Sequence, residues 1–357
     1  MPQSDLNRTK LDAFGGVALD ILNKAALAVM MSVGHRTGLF DAMAALPPST
    51  SQQIAASTGL QERYIREWLG ALVTGKIVEH DPEHQTYHLP LEHAAFLTRA
   101  AEKDNIASFA QFIPVISNVE DEIVECFRKG GGVPYSSFHR FADVMRELSA
   151  PTFDTLLVQK ILPLAPGLVD SLRRGIDVLE VGCGSGHGVN VMAKAFPQSR
   201  FTGYDLLPEQ IAAATAEAAE RGIANARFAV QDVAALSHQG GFDLVTAFDT
   251  VHDQAHPATM LGHVAAALKT GGTFLMWDIG ASSDLHSNRD HLLGPFLYGV
   301  SCMHCMTVSL AQNGEGLGAM WGREKAMAML TAAGFSAIEV HQIEEDPVNC
   351  CYVAMKA

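Results

Sequence analysis

Residues 176–186, Ile-Asp-Val-Leu-Glu-Val-Gly-Cys-Gly-Ser-Gly, join a short apolar run to three glycines spaced two apart. Such a run reads as a buried strand that stops at a tight turn, with the chain then entering a helix. That sequence of elements belongs to a doubly wound α/β sheet, whose ligands bind at the carboxyl ends of the strands. A side chain at Gly182, Gly184 or Gly186 would fill the space in which a nucleoside cofactor approaches the main chain. In the dinucleotide fingerprint the third glycine would fall at position 187, where the chain has His187, so a nicotinamide cofactor is disfavoured.

The elements that follow extend the pattern. A helix over residues 188–196 leads to a second strand, 200–204, ending at Asp205. An acid there lies at the switch point and can accept hydrogen bonds from both ribose hydroxyls. A helix over 208–222 precedes a third strand, 227–230, followed by Gln231, Asp232 and Val233. The fourth strand, 242–248, runs into Asp249-Thr250-Val251-His252-Asp253. Neighbouring parallel strands open into one crevice, so His252 faces whatever the glycine turn holds. With an unperturbed pKa near 6.5, it is a candidate general base for a hydroxyl or amine, with Asp249 or Asp253 orienting it or holding substrate. A fifth strand, 273–278, a helix near 324–333 and strands 336–343 and 351–355 complete the domain, the last pair as a hairpin whose final strand runs antiparallel.

The 357 residues, 48% hydrophobic and 18% charged, suffice for two domains with buried cores. A net charge of −14 opposes affinity for nucleic acid or anionic lipid. The start, MPQSDLNRTK, is polar, and no run of eighteen uninterrupted apolar residues occurs, so a cytoplasmic protein without membrane partners is expected. The six cysteines are scattered and read as free thiols.

Before the glycine turn, the chain reads as a winged helix-turn-helix domain over residues 1–100. An apolar helix covers 14–31. Helices follow over 38–46, 52–59 with a cap from the Ser49-Thr50-Ser51 cluster, and 60–74 with Tyr64, Ile65, Trp68, Leu69 and Leu72 on one face. Ile77-Val78 and Tyr87-His88-Leu89 read as the wing. Glu62, Arg63, Arg66 and Glu67 on the third helix sum to zero charge, whereas a DNA-reading helix must offer positive charge to phosphates. Residues 101–172 form a helical linker and substrate-pocket segment, with Tyr135, Phe138 and His139 as candidate pocket residues. Residues 173–357 form the catalytic domain. Its insertion, 280–322, reads as a lid made mobile by Gly314, Gly316 and Gly318. Cys302-Met303-His304-Cys305 lies in that lid; with no second Cys-x-x-Cys or His-x-x-x-His, no metal is expected.

The alternating Glu180-x-Gly182-x-Gly184-x-Gly186 resembles the first motif of the class I S-adenosylmethionine-dependent methyltransferases, and residues 176–278 look like their core. The whole chain, including FDTVHDQAHP and SCMHCMTVSLAQNGEGLGAMWG, is similar to bacterial and mycobacterial small-molecule methyltransferases with an N-terminal winged helix. The resemblance implies a Rossmann-like seven-stranded sheet with an antiparallel last strand. It implies S-adenosylmethionine as cofactor, S-adenosylhomocysteine as product and a small-molecule acceptor with an O-, N- or S-nucleophile. The implied cofactor set is Glu180, Gly182, Cys183, Gly184, Gly186, Asp205, Leu206, Asp232, Val233 and Phe248, with Asp232 and Val233 meeting the adenine. His252 is the first candidate base, His304 the second, and Asp253 completes the catalytic set. The winged helix implies a homodimer. The competing function is a cofactor-binding regulator or scaffold without turnover.

Overall fold

The buried run before the glycine turn does form a strand, third in a seven-stranded sheet whose strands lie in the order 226–230, 200–205, 177–181, 242–248, 268–279, 346–356 and 335–343. The computed structural model describes residues 6–236 and 239–357. The first five residues of the polar MPQSDLNRTK start, with Ser237 and His238, lie outside them. Two compact units divide at Pro114 and Val115.

In the second unit β3 (Asp177–Val181), β4 (Arg200–Asp205), β5 (Ala226–Val230), β6 (Phe242–Phe248) and β7 (Leu268–Ile279) are parallel. β9 (Asp346–Lys356) runs antiparallel between β7 and β8 (Phe335–Ile343), as the hairpin ending requires. Side chains alternate across the sheet. Leu179, Val181, Val245 and Ala247 pack on one face with Leu261, Val264 and Leu330 from the helices Pro257–Ala267 and Gly322–Ala332. Val178, Leu244 and Phe248 pack on the other with Leu157, Leu172 and Met192. Both faces are covered, which accounts for the unbroken apolar runs of the central strands.

A π-helix, Phe153–Ile161, follows the helix Phe141–Thr152 and packs against the helix His187–Ala195 that starts at the glycine turn. His187 fastens this arrangement: its Nε2 lies 3.1 Å from Asp154 Oδ1 and its Nδ1 2.6 Å from Glu217 Oε1.

The first unit begins with α1, Arg8–Thr37, longer at both ends than the apolar stretch suggests because Asn7 caps it and the left-handed Gly38 ends it. Only its C-terminal part is packed. A Cβ at Gly34 would stand 2.6 Å from the rings of Phe40 and Trp68, and the Trp68 indole donates to the Met30 carbonyl at 2.9 Å. Residues 6–26 are exposed, Leu11, Phe14, Ile21 and Leu22 among them. By length and composition α1 is apolar enough to cross a membrane. It is followed by α2 (Leu39–Ala45), α3 (Ser51–Thr58), opened by a capping box between Thr50 and Gln53, and α4 (Glu62–Thr74). On α4 Ile65, Trp68, Leu69 and Leu72 are buried, whereas Tyr64 is 81% exposed and leaves the expected stripe. The wing is displaced from the sequence expectation: β1 is Glu79–Asp81 and β2 Thr86–His88, because Val78 turns into the core instead of pairing. α5, Leu91–Leu97, closes the unit's core.

Candidate active site

The glycine turn divides its labour. Gly182, Gly184 and Gly186 all have left-handed backbone, with φ of 66°, 51° and 72°. A Cβ at Gly182 would stand 2.3 Å from the Thr250 side chain, and one at Gly186 would stand 2.5 Å from Ala214 Cβ and 2.6 Å from the Phe228 ring. At Gly184 it would meet nothing within 4 Å. Packing within the protein thus requires glycine at two of these positions, and of the three it is Gly184 that borders open space.

The other predicted cofactor residues differ in their surroundings. Asp205, at the end of β4, accepts from the Gly184 amide at 2.8 Å and from the Leu207 amide at 2.9 Å, which fixes the carboxylate beside the turn. Burial nevertheless raises its pKa above the ordinary value. Leu206 next to it is 55% exposed, and Val230 at the end of β5 is 50% exposed, giving apolar surface of the kind an aromatic base covers. Asp232 accepts from the Ala234 amide at 2.8 Å through Oδ1, so it also caps the short helix Val233–Ala235, in which Val233 is buried. Cys183 is buried, with its thiol pushed up by burial; its amide donates to the Tyr204 carbonyl at 2.9 Å and its thiol to the Gly184 carbonyl at 3.7 Å. Phe248, at the end of β6, packs edge-on to Phe153, ring centres 5.0 Å apart.

Beneath the turn the crevice is acidic. Glu180 is 3% exposed and burial pushes its carboxyl up to about 8. Asp249 has φ 48°, and burial followed by the nearby Asp278 carboxylate raises it strongly. Carboxyl groups gathered in a desolvated place favour a cationic guest, whose charge offsets their mutual repulsion.

His252 stands at the mouth of β6, 4% exposed. Its Nδ1 lies 2.7 Å from Asp278 Oδ1 at the end of β7, and its Nε2 lies 3.3 Å from Asp253 Oδ1. Burial would lower the imidazole pKa, but Asp278 and Asp253 outweigh it and leave the group well above the ordinary histidine value. Asp278 Oδ1 also receives the Trp321 indole N–H at 3.2 Å and the Ile279 amide at 2.8 Å. Asp278 and Trp321 thus adjoin the candidate base His252. The adjacency of β6 and β7 makes the His252–Asp278 pair, and the only signal in the sequence is an acid ending the next strand.

His304 is fully buried and stacks on Phe141 with ring centres 3.5 Å apart and planes 8° apart. Tyr135 and Phe138 meet it edge-on, whereas His139 is exposed and leaves the expected pocket group. Burial holds the His304 ring down to about 4, so it is neutral at physiological pH. Its Nδ1 lies 4.0 Å from Asp253 Oδ2. The predicted lid is less loose than its glycines suggest. A Cβ at Gly314 would stand 2.5 Å from Ala255 and one at Gly318 2.4 Å from Ser301 Oγ, while the Gly318 amide donates to the His252 carbonyl at 3.2 Å.

The parallel sheet, the open glycine at its switch point, the ribose-side acid and the cation-favouring crevice fit S-adenosylmethionine, a nucleoside bearing a sulfonium. Residues 172–334 match the family model described as a methyltransferase domain, and residues 25–99 match the Rv2258c-like winged HTH domain. The chain is an S-adenosylmethionine-dependent methyltransferase. Its methyl acceptor is a small molecule. This methyltransferase is 29% identical over 209 residues to nocamycin O-methyltransferase of Saccharothrix syringae, covering 55% of this chain and 72% of the relative. It is 25% identical over 213 residues to malonyl-[acyl-carrier protein] O-methyltransferase of a Paenibacillus strain, covering 58% and 69%. Among solved structures, its fold is similar to that of an O-methyltransferase from Nostoc punctiforme, with TM-score 0.74 and 19% identity over 96% of this chain and 98% of the other. It is also similar to human N-acetylserotonin methyltransferase in complex with the cofactor, with TM-score 0.70 and 15% identity over the full length of both.

Proposed function

We propose that this methyltransferase acts on a hydroxyl oxygen of a small molecule by in-line displacement, with His252 as general base. The observation that carries the reading is the pairing of His252 Nδ1 with Asp278 at 2.7 Å, which leaves Nε2 as the nitrogen to receive a proton. Oxygen is favoured because the nocamycin and malonyl-[acyl-carrier protein] relatives are named as O-methyltransferases. When bound, S-adenosylmethionine supplies an electrophilic methyl group on a positively charged sulfur. Gly184 admits the nucleoside, Asp205 takes the ribose hydroxyls, and Asp232 with the Val233 amide meets the adenine. Glu180 and Asp249 release protons so that their carboxylates face the cation. His252 Nε2 takes the acceptor's proton while Asp278 stabilises the imidazolium. The same carboxylates hold His252 protonated at rest, so that proton has to leave through Asp253 before each turnover. Neutral His304, stacked on Phe141, orients the acceptor. Positioning in a dry site supplies most of the acceleration, and proton removal adds on the order of 10²- to 10⁴-fold.

The test is transfer of labelled methyl from S-adenosylmethionine into a fractionated small-molecule extract. His252→Ala should slow labelling on the order of 10²- to 10⁴-fold while calorimetry shows unchanged cofactor binding. Full labelling by that variant would remove the base assignment, and no labelling by the wild type with cofactor bound would favour a regulator or scaffold.

In the same proposal residues 1–100 are a dimerisation domain, 101–172 a linker that contributes pocket residues, and 173–357 the catalytic domain with 280–322 over the acceptor. The enzyme works as a cytoplasmic homodimer without nucleic-acid or membrane partners. The exposed apolar residues of α1 and the net charge of −14 support this reading.

A further inference from the structure

Where the Cys302-to-Cys305 segment lacks a second cluster in sequence, the fold supplies one of a different composition. Ligand atoms of His252, Asp253 and Cys305 all lie within 4.8 Å of one another, and the Cys305 thiol is within hydrogen-bonding reach of both others. A fourth group adjoins Asp253: His304 is fully buried, both its ring nitrogens lack hydrogen-bond partners, and its Nδ1 lies 4.0 Å from Asp253 Oδ2. Asp253 Oδ1 is buried and lies 3.3 Å from His252 Nε2. Two imidazoles, a thiol and a carboxylate are the ligand types of a tetrahedral zinc site.

The surroundings have the form that metal ligation uses. A histidine that binds a metal through one nitrogen nearly always gives the other N–H to a carboxylate, which fixes its tautomer and raises its basicity. His252 does this with Asp278, whose Oδ1 is held in turn by Trp321 and the Ile279 amide. Asp278 and Trp321 are both buried.

We propose that His252, Asp253, His304 and Cys305 form a binding site for a divalent cation of the zinc type. Ligation takes the Cys305 thiol proton and the His252 Nε2 proton, both released to solvent, and involves no change of oxidation state. A bound cation occupies the Nε2 lone pair, so it silences proton abstraction; this consequence, unlike the binding itself, rests on His252 being the base.

Cobalt(II) is the probe. Full-length protein stripped with chelator and kept reduced should bind equimolar cobalt, giving a near-ultraviolet thiolate-to-cobalt band and the visible bands of a tetrahedral ion. Cys305→Ser should lose the ultraviolet band and Cys302→Ser should keep it. Asp278→Asn should weaken cobalt binding about 10- to 100-fold. Circular dichroism and cofactor binding verify that each variant is folded. Absence of both spectra in folded wild type, or a thiolate band that survives Cys305→Ser and disappears in Cys302→Ser, would overturn the site. Cobalt binding with undiminished methyl transfer would uphold the site and remove His252 as the base.

Discussion

Gly184 and Gly186 share a left-handed backbone but differ in what a methyl group would meet, and this separates cofactor binding from stability. Alanine at either position adopts a conformation costing roughly 1–2 kcal/mol. At Gly186 it must also displace Ala214 and the Phe228 ring, so Gly186→Ala should depress the melting temperature more than Gly184→Ala does. At Gly184 the methyl enters open space, so calorimetry on Gly184→Ala should show a loss of cofactor affinity exceeding its loss of stability. Equal losses would detach Gly184 from the cofactor. Glu180 makes a second test possible. Its folded-state pKa is raised from 4.5 to about 8. Between those values the folded protein holds a proton that the unfolded chain has released, so its contribution to stability declines as pH rises through that window and levels off above it. Below the upper limit, binding the cationic cofactor should release this proton. Binding heats at pH 7 should therefore vary with the ionisation heat of the buffer, and the variation should shrink in Glu180→Gln. Buffer-independent heats for the wild type would show that Glu180 stays neutral beside the cofactor.

Strands β3, β4 and β6 are legible in the sequence because each is a short apolar run ended by turn residues or an acid, and a strand buried on both faces leaves that trace. The wing is not, since Ile77 and Val78 look like a strand while Val78 is claimed by the helical core. In the site, the glycine turn, Asp205 and His252 are readable from position alone. Asp278 is not, because its link to His252 across 26 residues exists only once β6 and β7 are neighbours. The insertion is misjudged for a related reason. Glycine signals freedom in sequence, yet the backbone at Gly314 and Gly318 approaches other parts of the chain too closely for any side chain. Gly318→Ala should accordingly disturb Ser301 and the amide contact with the His252 carbonyl. Its expected signature is faster proteolysis within 280–322 and lower kcat, with cofactor affinity unchanged. Unaltered proteolysis and turnover would mean that the glycine serves looseness after all.

The chain as a whole leaves one surface unaccounted for. Along residues 6–26 of α1 the exposed side chains include Leu11, Phe14, Leu19, Ile21 and Leu22, with Phe14 68% and Ile21 62% exposed. Contiguous apolar surface of this kind marks an interaction site in a folded protein. Leu11, Phe14, Ala18, Ile21 and Ala25 recur at alternating spacings of three and four, the pattern of a helix that packs lengthwise against another helix. A second copy of the chain offers the same stripe, and a twofold axis would bury both at once. Light scattering should therefore report twice the 38.3 kDa chain mass for the wild type. The double variant Phe14→Glu, Ile21→Glu should run at the single-chain mass while binding cofactor as before, since placing like charges against each other opposes only the assembly. A monomeric wild type would exclude the dimer. A wild type that floats with neutral lipid vesicles, and loses this property in the double variant, would assign the helix to a bilayer instead, as its length and hydropathy permit.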